Sequence, residues 1–255
     1  MEKNEKGGEN VRVLFKFINP EFLSDFLHGD LYFKNTGYFI DLENKEGDKV
    51  IGDKYEGSHF RHFDLEKESL FIEIDGNLIP LNINRGFATK QYEAARDFQM
   101  TCFVELTEND FYTEDNKIFR IKEDVIKGLK QDFKGRKAVV LHNEKDFFHY
   151  LDKNSSNMGL GLYHGSVKYF DPNSETPLTE EEFEQDMIKA FFHKRSTYQN
   201  QREYRVITQQ PVKEDSITIH IDNLKDYVYT FDIENLHEFS LMIEQEVVNN
   251  EIEAL

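Results

Sequence analysis

Apolar and polar positions alternate through VRVLFKF (Val11 to Phe17), which predicts a strand. NPEFLSDFLHG follows, with Asn19 as N-cap, Pro20 in the first helical position and Gly29 as terminator, so a helix is expected with Phe22, Leu23, Phe26 and Leu27 on one face. DLYFKNTGYFIDLEN reads as a short strand and a turn. KEGDKVIGDKYEGSHFRHFD carries too many glycines and charges for a regular element and is expected to be a solvated loop, with a mobile lid and a metal site as the alternatives. From Ser69 to Ile83 two apolar runs flank Asp75-Gly76-Asn77, the signature of a β-hairpin.

The remaining pattern predicts strands at MTCFVEL, KAVVLH and GLGLYHGSVKYF, and helices at EDVIKGLKQDF and EKDFFHYL. PLTEEEFEQDMIKAFFHKR gives the strongest helical signal, with a Thr179/Glu182 capping box, basic residues in the last turn and Phe183, Met187, Ala190 and Phe191 on a core-facing side. Strands at YRVITQQP, SITIHID and YVYTFDI precede a C-terminal helix near FSLMIEQEVV. The fold class is α+β, mostly antiparallel sheet flanked by helices. Residues 1–10 are expected to form a disordered tail and residues 11–255 a single domain.

With 23 Phe, 12 Tyr and no Trp, the core is expected to be built largely from aromatic rings. The formal charge of -18, from 49 acidic and 31 basic residues, disfavours general nucleic-acid binding. It also admits a second reading, a non-enzymatic acidic protein that occupies a basic partner surface. A lone cysteine, Cys102, precludes an internal disulfide, and Cys/His zinc spacing, an apolar span of membrane length and a signal peptide are all missing from the sequence. The expectation is a cytoplasmic protein with no membrane partner.

One segment gathers chemistry. In QNQREYRV (Gln199 to Val206) the period of a strand would place Gln201, Glu203 and Arg205 on one face and Arg202, Tyr204 and Val206 on the other, the second row facing the core. The preceding HKRSTYQNQ brings His193, Lys194, Arg195 and Tyr198 close to the same carboxylate. A carboxylate in such a cleft suits stabilisation of positive charge, although alternating charges on a strand also pair with no chemical role.

The Gln201-Arg202-Glu203 triplet resembles the Gln/Glu-x-Glu motif of ADP-ribosyltransferases. That resemblance implies a split sheet, NAD as the cofactor, Glu203 as the catalytic acid that stabilises an oxocarbenium-like sugar, and Gln201 orienting the acceptor. It further implies NAD contacts from Lys16, where the superfamily usually carries Arg or His, from Tyr32, Asn35, Thr36 and Tyr38, where KNTGYF departs from the usual Ser-Thr-Ser, and from Arg205. The partners would be an NAD-type nucleotide and a macromolecular acceptor. The order LFKF, LYFKNTGYF, a Gly/Asp/Glu loop and YQNQREYR is similar to a broad group of uncharacterised bacterial and phage proteins, some found near defence genes, which implies a role in phage-host conflict. LYHGS resembles the His-Gly-Thr/Ser element of poly-ADP-ribose-type transferases, but His164 lies late in the chain, and a strand histidine is the simpler reading.

Asp48, Asp53 and Glu56 in the glycine loop, with His59, Arg61 and His62 nearby, could supply ligands to a divalent metal, but their spacing is not that of an EF-hand. No metal is assigned. Phosphate-loop, dinucleotide and nucleophile-elbow motifs are absent from the sequence.

Overall fold

The computed structural model describes residues 12–46 and 51–243. Eight antiparallel strands, numbered β1–β8 in chain order, form the main sheet: β1 (Arg12–Ile18), β2 (Asp30–Asn35), β3 (Gln99–Thr107), β4 (Lys137–Leu141), β5 (Leu162–Ser166), β6 (Glu203–Thr208), β7 (Ser216–His220) and β8 (Val228–Asp232). Five α-helices, α1 (Pro20–Leu27), α2 (Thr36–Asp41), α3 (Glu123–Asp132), α4 (Glu144–Asn157) and α5 (Glu180–Gln185), flank it. The strand order is β5-β6-β3-β1-β4-β8, with β7 beside β2 and β2 joined to β3. This is the α+β class that the alternation predicts.

Strand parity divides the core. Leu14, Phe103, Val139, Tyr204 and Val206 face α1 and α4, meeting Phe26, Phe147 and Leu151. Val13, Phe15, Phe17, Val104 and Leu106 face α3, meeting Val125 and Leu129. Aromatic rings carry both layers, as the composition predicts: Phe17 stacks on Phe133 at 4.4 Å, and Phe103 meets Phe147 edge-on at 5.7 Å.

One edge of β3 is shared by two strands. β1 pairs with Val104 to Thr107, and β2 pairs only with Gln99 and Met100. Among the described residues no strand pairs with those between them on that edge, and Lys16 fills the fork. Its ammonium donates to the Thr101 hydroxyl at 2.7 Å and the Cys102 carbonyl at 2.9 Å, and it lies 4.7 Å from the Phe103 ring centre. A side-chain cation thus satisfies a carbonyl that the ladder leaves open.

Several expectations are corrected. The strongest helical signal yields only α5: at Asp186 the backbone turns extended, and its carboxylate caps the Ile188 N–H at 3.1 Å. An aspartate that competes for local backbone donors restarts the chain as a 3₁₀ turn (Met187–Phe192), followed by a short strand (His193–Arg195). The Thr179/Glu182 capping box is present, and Phe183, Ala190 and Phe191 are buried as expected. Phe22 is exposed rather than on the buried face of α1. The expected turn after β2 is the helix α2, which starts because the Asn35 carboxamide accepts the Tyr38 N–H at 3.0 Å. Where a C-terminal helix was expected, Ser240–Met242 pairs as a strand with Ile118–Arg120; residues 244–248 of that expected helix, residues 1–10 and Asp48 lie outside the described residues.

Burial lowers the pKa of the Lys16 amine from 10.5 to about 8. The unfolded chain therefore binds more protons between those values, so this amine makes stability rise with pH across that window. Urea unfolding of wild type and Lys16→Met at pH 7 and pH 10 is expected to show the wild type gaining on the variant at the higher pH. A constant difference would show that the amine titrates alike in both states.

Candidate functional site

β6 begins immediately after a strained residue. The 3₁₀ turn Ser196–Gln201 ends at Arg202, whose φ of 47° is left-handed and costs a side-chain-bearing residue about 1 kcal/mol. Three contacts hold it: its Nε donates to Asp110 at 2.9 Å, its Nη1 to the Asn200 carbonyl at 3.1 Å, and its carbonyl accepts the Glu105 N–H at 2.7 Å. The next residue, Glu203, starts the strand opposite Val104.

Glu203 projects to the α3 side of the sheet, level with Val104 and Phe15. Its Oε1 accepts Lys194 Nζ at 2.6 Å, and its Oε2 accepts Arg205 Nε at 2.6 Å. Arg205, 1% exposed, carries its remaining donors to Glu56, with Nη1 to Oε1 at 2.6 Å and Nη2 to Oε2 at 3.0 Å, and also donates to the Phe191 carbonyl. Lys194 also donates to the Gln201 carboxamide oxygen at 2.7 Å. The chain Glu56–Arg205–Glu203–Lys194 is therefore a buried row of alternating charge with no net charge.

A second group adjoins it. Arg195 donates to Asp53 at 2.7 Å, to Glu43 at 3.1 Å and to the Tyr198 hydroxyl at 3.0 Å, and that hydroxyl donates to the Gly52 carbonyl at 3.2 Å. Together these contacts pin residues 51–58 to the sheet. The expectation of a solvated loop is corrected here: Asp53 and Glu56 are buried in ion pairs. Their oxygens are engaged by guanidinium groups, which leaves the metal alternative unsupported, and among the described residues no cluster could hold a metal ion.

Electrostatics separates the two carboxylates. Burial alone would raise the Glu203 pKa, but the charges of Arg205 and Lys194 outweigh it and hold the group at about 2. Burial prevails at Glu56 and raises its pKa despite Arg205. The Cys102 thiol, 3.8 Å from Glu203 Oε2, is pushed up to about 12 by burial and by the neighbouring carboxylate, so it is not a nucleophile at neutral pH.

A cleft of about 260 Å³ opens beside Glu203, lined by Glu105, Asp110, Tyr169, Gln199 and Arg202. Glu203 is itself among the lining residues, and its side chain is 12% exposed. Tyr169, which the sequence did not single out, lines the cleft and accepts the Glu203 N–H on its hydroxyl at 2.9 Å.

The structure brings Gln201, Glu203 and Arg205 together, though not as one strand face. Gln201 belongs to the turn and converges through Lys194, and Arg205 is buried behind Glu203 rather than lining the cleft. Tyr204 and Val206 face the core as expected, but Arg202, expected in the same row, ends the turn in a left-handed conformation and lines the cleft. The other candidates lie elsewhere. Lys16 projects to the opposite, α4 side of the sheet. Asn35 caps α2, the buried Thr36 hydroxyl donates to the Ala95 carbonyl, and Tyr32 and Tyr38 are exposed near the β2 end of the fork. His164 Nδ1 pairs with the Tyr204 hydroxyl at 2.6 Å, and its ring stacks on Phe148, a strand histidine as the simpler reading has it.

Arg205→Gln is expected to cost about 3–5 kcal/mol in urea unfolding, because it strands Glu56 and part of Glu203 without their cation. Arg205→Lys should recover only part of the loss, since one ammonium cannot serve two carboxylates and the Phe191 carbonyl with the guanidinium's fixed geometry. A fully stable lysine variant would contradict the assigned geometry. No family model, curated protein or solved structure matches the chain.

Proposed function

We propose that the chain is an NAD-consuming enzyme of the ADP-ribosyltransferase kind, with Glu203 as the carboxylate that stabilises the sugar cation. The observation that carries this reading is a glutamate fixed at the start of β6, ionised at neutral pH and among the residues that line a cleft, its side chain 12% exposed. The fork between β1 and β2 supports it further, since a split sheet is what the resemblance implies.

In this reaction the bond between nicotinamide nitrogen and ribose C1′ breaks, and nicotinamide departs with the electron pair. The positive charge that develops on the ribose is met by the carboxylate. A nucleophile from a macromolecular acceptor, or water, then attacks C1′ and gives up its proton. A carboxylate offers about four lone-pair positions, so pairing with Lys194 and Arg205 leaves acceptor capacity for a ribose hydroxyl. Lys194, tied also to Gln201, holds the carboxylate in one orientation, which gives Gln201 a positioning role.

A second reading has its own observation. Both oxygens of Glu203 are already engaged by cations, which fits a purely structural glutamate in an acidic binding protein of charge -18. Purified wild type and Glu203→Gln are to be incubated with isotope-labelled NAD and a cell lysate, following released nicotinamide and label on macromolecules. The transferase reading expects Glu203→Gln to lose at least about 100-fold in rate, with circular dichroism showing a folded protein. The same exchange should lower stability by about 3 kcal/mol through the unpaired cations. No turnover by folded wild type would favour the acidic binder.

The pH dependence has a defined sign. The Glu203 pKa is depressed, so its contribution to stability is complete above the ordinary value of 4.5 and is lost as the pH falls towards about 2. Wild type should therefore lose its advantage over Glu203→Gln within that window when the two are compared by urea unfolding.

A further inference from the structure

β5 is the outer strand at one end of the main sheet, bonded to β6 and, among the described residues, to no strand on its other side. Bonds from the Gln209 N–H to the Gly161 carbonyl at 2.8 Å and from the Val167 N–H to the Glu203 carbonyl at 2.9 Å bracket this ladder. Antiparallel alternation then places the bonded pairs between them at Tyr163–Ile207 and Gly165–Arg205, so His164 and Ser166 turn their N–H and C=O groups away from the sheet. The Leu162 carbonyl, which also points outward, accepts the Gln209 carboxamide at 3.0 Å. The outward groups of His164 and Ser166 meet no protein partner among the described residues. Open edges are usually blunted by a charge, a proline or a bulge. LYHGS has no proline, lysine, arginine or carboxylate, and its register runs unbroken from Leu162 to Ser166.

A pocket of about 340 Å³ lies beside this edge, between β5 and the 3₁₀ turn Met187–Phe192, lined by Tyr163, Gly165, Ile188 and Phe192 together with Asp186 and Lys189. Gly165 keeps it open. Its φ is not positive, and a Cβ there would stand 3.6 Å from the Phe192 ring, an ordinary contact. Neither backbone conformation nor crowding demands a glycine, which costs a strand roughly 0.5–1 kcal/mol relative to alanine. Its missing side chain supplies room, and glycine inside a strand marks a place where a ligand or another backbone comes close.

We propose that β5 binds an extended, basic segment of a partner protein as an added strand, with one apolar side chain of that segment seated over Gly165. The free donors and acceptors recur at every second residue along the edge, a spacing that an extended backbone matches. Tyr163, Ile188 and Phe192 make the pocket largely apolar, so the side chain it takes is aliphatic or aromatic. Asp186 and Lys189 offset one another in the lining, and the sign of the segment follows from the body: a charge of -18 attracts a basic segment and repels a second copy of this chain. Such binding needs no turnover of NAD at Glu203.

A phage-displayed library of random peptides is to be panned against the full chain, and an enriched peptide synthesised with a fluorescent label for anisotropy titrations. Enriched sequences are expected to carry Lys or Arg beside an apolar residue, and their binding to weaken as salt is added. In the complex, hydrogen exchange at the His164 and Ser166 amides should slow by about tenfold or more. Gly165→Val fills the pocket, and Ser166→Pro removes an outward N–H without breaking a ladder bond, so each should weaken the peptide by about tenfold or more with unchanged circular dichroism. Tyr229→Ser, on the outer strand at the far end of the sheet, should leave the affinity unchanged. Failure to enrich any peptide, enrichment of acidic ones, equal affinity for wild type and Gly165→Val, or unchanged exchange at His164 and Ser166 overturns the proposal. A dimer of the free chain in sedimentation that Ser166→Pro dissolves would assign the edge to a second copy and overturns it as well.

Discussion

Arg205 is the residue on which the site depends. Its guanidinium lies beneath the sheet surface between two carboxylates 147 residues apart in sequence, Glu56 and Glu203. Stranding a buried charge costs several kcal/mol, whereas a complete ion pair gains little over an apolar pair of the same volume. Arg205 is therefore less a source of net stability than a condition on geometry: where it is present, both acids must be in place. Its contact with the Phe191 carbonyl adds the segment that leads into Lys194 and Arg195. Residues 51–58, the 3₁₀ turn at Met187–Phe192 and β6 thus meet at one side chain.

Close packing at Gly57 follows from the same arrangement. Its φ of +68° favours glycine, and a Cβ there would stand 2.5 Å from the Phe191 ring. The loop can deliver Glu56 to Arg205 only if the next residue has no side chain. The glycines that make this segment resemble a solvated loop are, at this position, what lets it dock. Composition alone does not distinguish a glycine that loosens the chain from one that permits a close approach.

Much of the sheet was legible because strand periodicity is a local property. β1, β3, β4 and β6 all lie where alternation or a short apolar run placed them, and the hairpin turn at Asp75-Gly76-Asn77 is where its residues require. The break at Asp186 was less visible. A helical apolar pattern continues through it, and only the capping ability of aspartate, with Ile188 two residues on, hinted that the chain would restart. For the site, Glu203 and its link to Arg205 could be read from a spacing of two. Lys194 could be placed near the same carboxylate from the preceding HKRSTYQNQ run, and it pairs with it. The roles of Glu56 and Tyr169 could not be read, because each depends on contacts between segments far apart in sequence. An excess of acid in the whole chain gave one general signal: its arginines would find carboxylates, but not which ones.

The two carboxylates that share Arg205 are not equivalent, and the difference bears on what the cleft can do. Glu56 is the more deeply buried and, among the described residues, has only Arg205 as its hydrogen-bonded cation, so burial prevails and its proton is held more tightly. Glu203 has Lys194 as well as Arg205, and their two charges outweigh its burial, so its proton is held more weakly. Environments that drive the pKa values of neighbouring acids apart assign them separate tasks. As the pH falls, Glu56 takes up a proton before Glu203 does, and Arg205 then keeps Glu203 as its charged partner. The inner glutamate thus loses its charge first on acidification, while the outer one, with two cations, keeps its own.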